Sequence, residues 1–376
     1  MTSPRSVALT VTALAAIVVL TGCAVDRPPV PRIERVAFAT DSSALRTAKL
    51  ATLSDEVMAA IIDPDRPGCS AAVGVTGEVV WAAAGGLADL TTGELLTTET
   101  RFDMASISKQ FTATAVLLLE REGLLSLDDP LSAHLEGLPR WADTVTIEQL
   151  MRHTARVPDF WIELEAVDIG FTSPADHATV LAAIGRTDAL LPGEGYAYAN
   201  SHYVLLADVV ESVSGQLFAE FLDERIAEPL ALDLAVAPGL SAPAVATPYD
   251  TDDTLLRGGW TAYGHSGMVT TPSELVRWGD QYRLGDLVQP DALARAVVVL
   301  DDEQPNGELY AAGIRIEPDG SLYHAGRWGG YISDLTITPD RQTVIAVACN
   351  GRGAPRFEIA DALREIWAPT SGPDED

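Results

Sequence analysis

Lysine is the residue type that this sequence has least of. Only two of its 25 Lys and Arg residues are lysines, Lys49 and Lys109. Positive charge is scarce overall, because 54 Asp and Glu leave a formal net charge of -29 over 376 residues. A surface this acidic repels a phosphate backbone, so we expect no nucleic-acid partner. We assign the acidity to solubility or a saline medium, and not to the substrate.

Histidine and cysteine are also scarce, with six and three residues. The histidines show no His-Glu-x-x-His or similar ligand spacing, so the sequence implies no metal site. Of the cysteines, Cys23 lies near the N-terminus, whereas Cys69 and Cys349 lie far apart in the body of the chain. A hydrophobic content of 47% supports a large core and excludes a disordered chain.

The N-terminal residues are typical of an export signal and a tether. Arg5 precedes an apolar run over residues 7–20, which is shorter than the ~20 residues of a membrane span. The run ends in Leu20-Thr21-Gly22-Cys23, which resembles the lipobox of bacterial lipoproteins and implies removal of residues 1–22 and lipid attachment to Cys23. A plain signal peptide or an uncleaved anchor is the alternative. Residues 23–37, with three prolines, are predicted to be a tether, so we expect an exported protein anchored by lipid on the extracytoplasmic side of the membrane.

Strand patterns occupy both ends of the remaining chain, and helix patterns occupy its middle. Apolar spacing predicts a helix that ends before Pro64 and then a hairpin with its turn at Thr76-Gly77. Helical segments dominate from residue 106 to about 285. Strand-like runs return after residue 309 and are followed by a last amphipathic helix, which contains Trp367.

These patterns predict an α/β (α+β) domain over residues 38–368. An antiparallel sheet of about five strands, built from residues 38–105 and 286–368, is expected to be flanked by helices. A mostly helical lobe, residues 106–285, is expected to be inserted into it. The acidic tail at residues 369–376 is expected to be disordered.

The tetrad Ser106-Ile107-Ser108-Lys109 lies at the start of a predicted helix. Helical spacing places Ser106 in the first turn and Lys109 one turn later on the same side. The free backbone N–H groups and the positive dipole end of a helix N-terminus suit a developing oxyanion. A chance match, with Ser106 as a simple cap, is the alternative. Arginine supplies nearly all the other positive charges of this chain and cannot lose its proton at working pH. A lysine at this position therefore favours a catalytic role, because lysine can lose its proton.

Two further motifs follow the tetrad. Tyr198-Ala199-Asn200 precedes a predicted helix, and His324-Ala325-Gly326 lies on a predicted strand before a glycine-rich turn. Tyr198 alone could be a core tyrosine, with Asn200 as a helix cap. The order Ser-x-x-Lys, Tyr-x-Asn, His-x-Gly in this layout resembles the serine β-lactamase and penicillin-recognising enzyme superfamily. More narrowly, it resembles the class C-like branch, with its D-alanyl-D-alanine carboxypeptidases, D-amino-acid peptidases and β-lactamase-like esterases.

The resemblance implies roles for these residues. Ser106 is expected to become acylated, with Lys109 and Tyr198 as the proton carriers, and the base of the acylation step is open between these two. Backbone N–H groups of Ser106 and Arg327 are expected to form the oxyanion hole. The substrate-binding residues that the resemblance implies are Asn200, His324, Gly326 and Arg327. It implies no metal and no cofactor.

Three departures from the family pattern bear on the substrate. His324 stands where β-lactamases and many penicillin-binding proteins have lysine, and histidine is mostly neutral near pH 7. Strand alternation points Arg327 to the opposite face unless the strand end twists, so carboxylate recognition is expected to be weaker. Arg156 replaces a glycine of the family's His-Thr-Ser-Gly-Leu-Pro segment, where glycine allows positive φ. Residues 264–267, Gly-His-Ser-Gly, replace small residues; both segments are expected to border the pocket.

The resemblance also implies a position for the two internal cysteines. In this fold the first and last strands of the sheet are antiparallel neighbours, and Cys69 begins the first while Cys349 ends the last. A disulfide between them is therefore expected, with two buried thiols as the alternative.

We therefore expect an exported serine hydrolase that acts through an acyl-enzyme on a D-alanyl-type peptide, a related amide or an ester. A β-lactamase is an alternative, although His324 makes β-lactam hydrolysis less favoured. A catalytically silent cell-envelope binding lipoprotein with the same fold is another. The silent protein is less favoured because Ser106, Lys109 and Tyr198 are all present.

Overall fold

The computed structural model describes residues 43–237, 242–294, 298–299 and 307–368. The predicted signal peptide, Cys23, the tether and the acidic tail lie outside the described residues. No helix within these ranges has the length and apolar composition to cross a membrane.

Thirteen strands are present in the described ranges. They are β1 (Cys69–Val75), β2 (Glu78–Gly85), β3 (Leu87–Asp89), β4 (Glu94–Leu95), β5 (Phe102–Asp103), β6 (Ala235–Val236), β7 (Met268–Thr270), β8 (Val298–Val299), β9 (Leu309–Tyr310), β10 (Arg315–Ile316), β11 (Leu322–Trp328), β12 (Tyr331–Ile337) and β13 (Thr343–Cys349). Eight of them form one antiparallel sheet in the order β2-β1-β13-β12-β11-β10-β9-β8. The two ends of the domain thus meet in the middle of one sheet.

Twelve α-helices occupy the same ranges. They are α1 (Ser43–Ile61), α2 (Ser108–Arg121), α3 (Ile147–Met151), α4 (Phe160–Glu165), α5 (His177–Gly185), α6 (Asn200–Ser214), α7 (Phe218–Leu222), α8 (Glu228–Leu230), α9 (Pro272–Gly279), α10 (Gln281–Leu284), α11 (Pro290–Ala294) and α12 (Arg356–Trp367). Local sequence explains some of their ends. Thr146 caps α3 in a reciprocal capping box with Gln149, and Gly215, with φ 72°, ends α6.

The sheet has helices on both faces. On β2, Trp81 donates to Asp55 of α1 at 2.8 Å, and Trp81 lies opposite Val73 of β1. The next β1 residue, Gly74, has no room for a Cβ because Val276 of α9 lies against it. Since successive strand residues face opposite sides, α1 and α9 cover opposite faces, and α12 packs beside α1 against β12 and β13.

The pairing of β1 with β13 places Cys69 opposite Cys349. A disulfide joins these two residues, which are 280 positions apart in the sequence. All seven residues of β13 and of β12 are buried, so the bond lies in the interior of the sheet. This pairing covalently closes the chain around everything inserted between the two strands.

Helix α2 is the centre of the helical lobe. Every residue from Ser108 to Leu119 is buried, and the helix packs along α6. Its N-terminus approaches β11 so closely that a Cβ on Gly326 would lie 2.5 Å from the carbonyl oxygen of Met104. Gly326 therefore lets the sheet come against the turn that contains Ser106.

The predicted fold class is confirmed, with a difference in the number of strands. The sheet has eight strands and not about five, because β8, β9 and β10 extend its edge. In the strand-like region that begins after residue 309, β10 covers only Arg315–Ile316, since Gly313 has φ 72°. A second sheet, β5-β7-β6, lies within and beside the helical lobe. Strands of two or three residues are too short to show the period-two pattern on which a sequence prediction depends.

Candidate active site

Ser106 lies in a tight turn that leads into α2. The turn is a 3-10 helix over Ala105–Ile107, and Ala105 has φ 51°. The backbone N–H of Ala105 donates to Asp103 Oδ1 at 2.8 Å, and the same oxygen accepts from the N–H of Gly267 at 3.1 Å. Burial raises the pKa of Asp103 to about 6. The buried carboxyl thus holds a left-handed residue directly before the serine.

Lys109 is completely buried one turn after Ser106. Its Nζ lies 3.1 Å from Ser106 Oγ, 2.9 Å from Asn200 Oδ1 and 2.9 Å from the carbonyl oxygen of His265. Loss of hydration lowers the pKa of Lys109 to about 7, although the carboxylates of Asp159 and Asp103 oppose the shift. A neutral amine is therefore accessible near neutral pH.

Tyr198 is a second residue in contact with the Ser106 hydroxyl. Its hydroxyl donates to Ser106 Oγ at 2.9 Å. The residue is 36% exposed, but the hydroxyl end is inside the site, where loss of hydration raises the pKa of Tyr198 well above the usual value for tyrosine. The ring lies 4.2 Å from the ring of His153, between centroids. Tyr198 therefore holds its proton and presents it to the serine oxygen.

Asn200, the first residue of α6, links Lys109 to Asp159. Both the backbone N–H and the Nδ2 group of Asn200 donate to Asp159 Oδ2 at 3.0 Å. This fixes the amide so that Oδ1 points to Lys109. Burial raises the pKa of Asp159.

His324 lies at the site, but its ring is buried and both ring nitrogens have partners within the protein. Its Nδ1 lies 2.8 Å from the carbonyl oxygen of Ala325, and its Nε2 lies 3.2 Å from the hydroxyl of Tyr310. The carbonyl can only accept, so Nδ1 carries the proton and Nε2 accepts from Tyr310. Burial lowers the pKa of His324 to about 3. This histidine is neutral at working pH and supplies no positive charge.

A cleft of about 540 Å³ opens beside Ser106 and Tyr198. The charged residues that line it are Arg315, Arg327, Arg352 and Arg356. No Asp or Glu is among its lining residues in the described part of the chain. Both His324 and Arg327 line this cleft. The cleft surrounds the end of β11, so residues from both faces of the strand reach it.

Three of the four arginines already have hydrogen-bond or ion-pair partners within the protein. Arg356 donates to the carbonyl oxygens of Gly326 and Ser333, and Arg352 donates to that of Gly329. Arg315 lies 3.4 Å from Glu308. Arg327 is exposed and has no hydrogen-bond or ion-pair partner among the described residues. It is the arginine with the freedom to bind an anion in the cleft.

The structure brings together Ser106, Lys109, Tyr198, Asn200, His324, Gly326 and Arg327. The sequence prediction missed Asp159, which is separated from Asn200 by 41 residues and looks like an ordinary helix cap. It also missed the role of the His265 carbonyl, since a backbone acceptor leaves no side-chain signal. No group of three or more His, Cys, Asp or Glu is arranged to hold a metal ion within the ranges described.

The whole arrangement can be compared with known proteins. The family model described as Beta-lactamase matches residues 50–366, which is most of the chain. The chain belongs to the beta-lactamase family. The family that the three sequence motifs predicted is thereby confirmed.

Several relatives of this beta-lactamase family member are known. It is 33% identical over 159 residues to Penicillin-binding protein 4* of Bacillus subtilis, covering 42% of this chain and 35% of that protein. It is 31% identical over 222 residues to a D-aminopeptidase of Brucella anthropi, covering 56% of this chain and 42% of that protein. The chain thus spans about two fifths of the length of these curated relatives.

A solved structure resembles the fold over a longer range. The octameric penicillin-binding protein homologue from Pyrococcus abyssi has a TM-score of 0.71 at 25% identity, covering 85% of this chain and 76% of the other. The family match and the structural similarity thus both support the predicted fold.

Proposed function

We propose that this protein is a serine hydrolase that forms an acyl-enzyme at Ser106 and acts on a D-alanyl-type peptide, a related amide or an ester. The observation that carries the proposal is the set of contacts around Lys109. Asn200 Oδ1 and the His265 carbonyl can only accept hydrogen bonds, whereas the Ser106 hydroxyl can donate one. A neutral amine has two N–H groups and one lone pair, and this environment accommodates all three.

Lys109 is accordingly the base of the acylation step. It removes the proton of Ser106 while Oγ forms a bond to the substrate carbonyl carbon. Tyr198, whose pKa is raised, gives its proton to the leaving nitrogen or oxygen as that bond to carbon breaks. The backbone N–H groups of Ser106 and Arg327 stabilise the oxyanion, because Gly326 brings β11 against the serine turn.

Deacylation returns both protons. The Tyr198 phenolate left by the first step takes a proton from water, which attacks the ester carbon. Ser106 Oγ leaves and recovers a proton from the Lys109 ammonium. The proposed cycle returns Ser106, Lys109 and Tyr198 to their starting protonation states and uses no metal and no cofactor.

The cleft supports a substrate with a negative charge close to the scissile bond. Its lining combines four arginines with no acidic residue among the described positions, in a chain of net charge -29. Such a local reversal of sign attracts anions. Arg327 supplies the charge that neutral His324 does not, so the carboxylate of a D-alanyl-type peptide fits the site. The relatives support the same substrate class, since they include a penicillin-binding protein and a D-aminopeptidase.

We also propose that the protein works outside the cytoplasm, anchored by lipid on Cys23. The motif Leu20-Thr21-Gly22-Cys23 supports this proposal. Its partners would then be the membrane, through the anchor, and a small peptide, amide or ester substrate.

Labelling with a fluorescent fluorophosphonate tests the hydrolase. The native protein should be labelled on one serine, with a rate that rises through pH 7 as Lys109 loses its proton. Ser106→Ala should abolish the label, and Ser108→Ala serves as the control for a neighbouring serine. Cleavage of D-Ala-D-Ala peptide, nitrocefin and p-nitrophenyl esters then ranks the substrates. Absence of a Ser106-dependent label would favour the silent binding protein, and preferred cleavage of nitrocefin would favour a β-lactamase.

A further inference from the structure

Arg156 has a backbone conformation that arginine seldom adopts. Its φ is 61°, in the left-handed region where a Cβ is crowded by the backbone. Glycine avoids this cost, and the family motif that the sequence resembles implies glycine at this position. A residue that keeps an unfavourable φ implies that its side chain contributes something in return.

The guanidinium of Arg156 binds the loop that leads to Tyr198. Its Nε donates to the carbonyl oxygen of Leu191 at 3.2 Å, and its Nη1 donates to that of Glu194 at 3.3 Å. Its Nη2 donates to the carbonyl oxygen of Pro192. In return, the backbone N–H of Leu191 donates to the Arg156 carbonyl at 2.8 Å. One side chain thus binds three backbone carbonyl groups of a loop that has no regular structure.

The loop needs such a restraint. It contains Gly193 and Gly195, with φ of 96° and 84°, and glycine gives the backbone wide freedom. Its far end is fixed by His153, whose carbonyl accepts from the N–H of Ala197 at 2.7 Å. Residues 153–156 therefore hold residues 191–197 at both ends, and Tyr198 follows directly.

We infer that Arg156 is a positioning residue that fixes the 191–194 loop and thereby keeps the Tyr198 hydroxyl at Ser106. This role rests on the proposed function, in which Tyr198 protonates the leaving group. It explains why arginine is kept in a left-handed conformation. It also makes Arg156 matter most when the leaving group cannot depart without a proton.

The chain provides a matched control in Arg341. This arginine also has a positive φ, 60°, and its guanidinium also donates to backbone carbonyls, those of Gly320 and Thr338. It lies in the turn between β12 and β13, at the opposite end of β12 from the cleft. Arg341→Gly removes the same backbone crowding and the same kind of contact far from Tyr198. Arg156→Gly is the test variant, and Arg156→Lys keeps the charge without the planar fork.

The first measurement does not depend on activity. Hydrogen–deuterium exchange in the native protein and the variants is followed in the peptide that spans residues 190–199. We expect at least tenfold faster exchange there in Arg156→Gly, an intermediate rate in Arg156→Lys and the native rate in Arg341→Gly. Unchanged exchange in Arg156→Gly would overturn the inference, whether or not the protein is an enzyme.

The second measurement separates positioning from a general loss of structure. Values of kcat/KM are compared for a p-nitrophenyl ester, whose leaving group departs without a proton, and an amide of the same acyl group. In Arg156→Gly we expect the amide to lose at least tenfold more than the ester, with partial rescue in Arg156→Lys. Equal losses on both substrates, or the same selective loss in Arg341→Gly, would refute the positioning role. Failure of Ser106 labelling in the native protein would instead count against the proposed function. The exchange result would then still show whether Arg156 restrains the loop.

Discussion

Replacement of Asp159 by asparagine tests the electrostatics of the proposed base. Asp159 holds Asn200 with two hydrogen bonds of 3.0 Å, and Asn200 contacts Lys109 Nζ at 2.9 Å. The carboxylate favours the charged form of Lys109, while burial disfavours it. Asparagine is nearly the same size and keeps an oxygen that accepts from Asn200, so Asp159→Asn removes the charge with little change of shape.

The expected size of the effect follows from the distance. Two hydrogen bonds and one amide group separate the charges by roughly 7 Å, and at an effective dielectric constant of about 20 this gives an interaction of roughly 2 kcal/mol, or about 1.5 pKa units. Loss of the negative charge destabilises the ammonium, so the pKa of Lys109 falls. Because the neutral amine is the active form, the acid limb of kcat/KM should move from about pH 7 to about pH 5.5–6.

A pH profile of kcat/KM on an ester substrate measures this shift. Asp208→Asn is the control, because Asp208 is another partly buried carboxyl with a pKa raised to about 6, and it contacts His177 and not Lys109. The control should leave the limb in place. A limb that stays near pH 7 in Asp159→Asn, or that moves to higher pH, would refute the assignment of Lys109 as the base.

Two further predictions concern the disulfide and the cleft. Replacing Cys69 and Cys349 together with serine should lower the unfolding free energy by about 3–5 kcal/mol, because the bond closes a loop of 280 residues; a guanidinium midpoint equal to that of the native protein would contradict this. Arg327→Gln should lower kcat/KM about tenfold for a substrate with a carboxylate beside the scissile bond, since a hydrogen bond to a charged group is lost. The value of kcat/KM for a matched neutral ester should be unchanged. An equal loss on both substrates would contradict a role of Arg327 in carboxylate binding.

Local spacing in the sequence was sufficient to predict which residues meet at the centre of the candidate site. Ser106 and Lys109 are three residues apart at the start of a helix, and helical geometry alone places them on one side. The strand patterns at both ends of the domain likewise followed from the alternation and runs of apolar residues. The pairing of Cys69 with Cys349 came from the family topology, and the register of β1 on β13 agrees with it.

Contacts between distant segments could not be predicted in this way. Asp159, Asn200 and Lys109 form one chain of hydrogen bonds, but Lys109 and Asn200 are 91 residues apart, and no local pattern encodes their meeting. Strand alternation also left open whether Arg327 reaches the cleft, because alternation describes a regular strand and not the end of a hairpin beside a cleft. The additional two-residue strands had too few residues to leave a pattern.

The sequence by itself thus determined the family, the order of the longer strands and helices, and the serine and lysine that we propose for catalysis. Each of these depends on residues close together in the chain or on motif order. Only the tertiary structure decided the chemistry of those residues. It buries Lys109 and so brings its pKa to about 7, turns His324 inward as a neutral ring, and gathers four arginines around the cleft. Burial and charge proximity are properties of packed neighbours, and folding brings those neighbours together from distant parts of the chain.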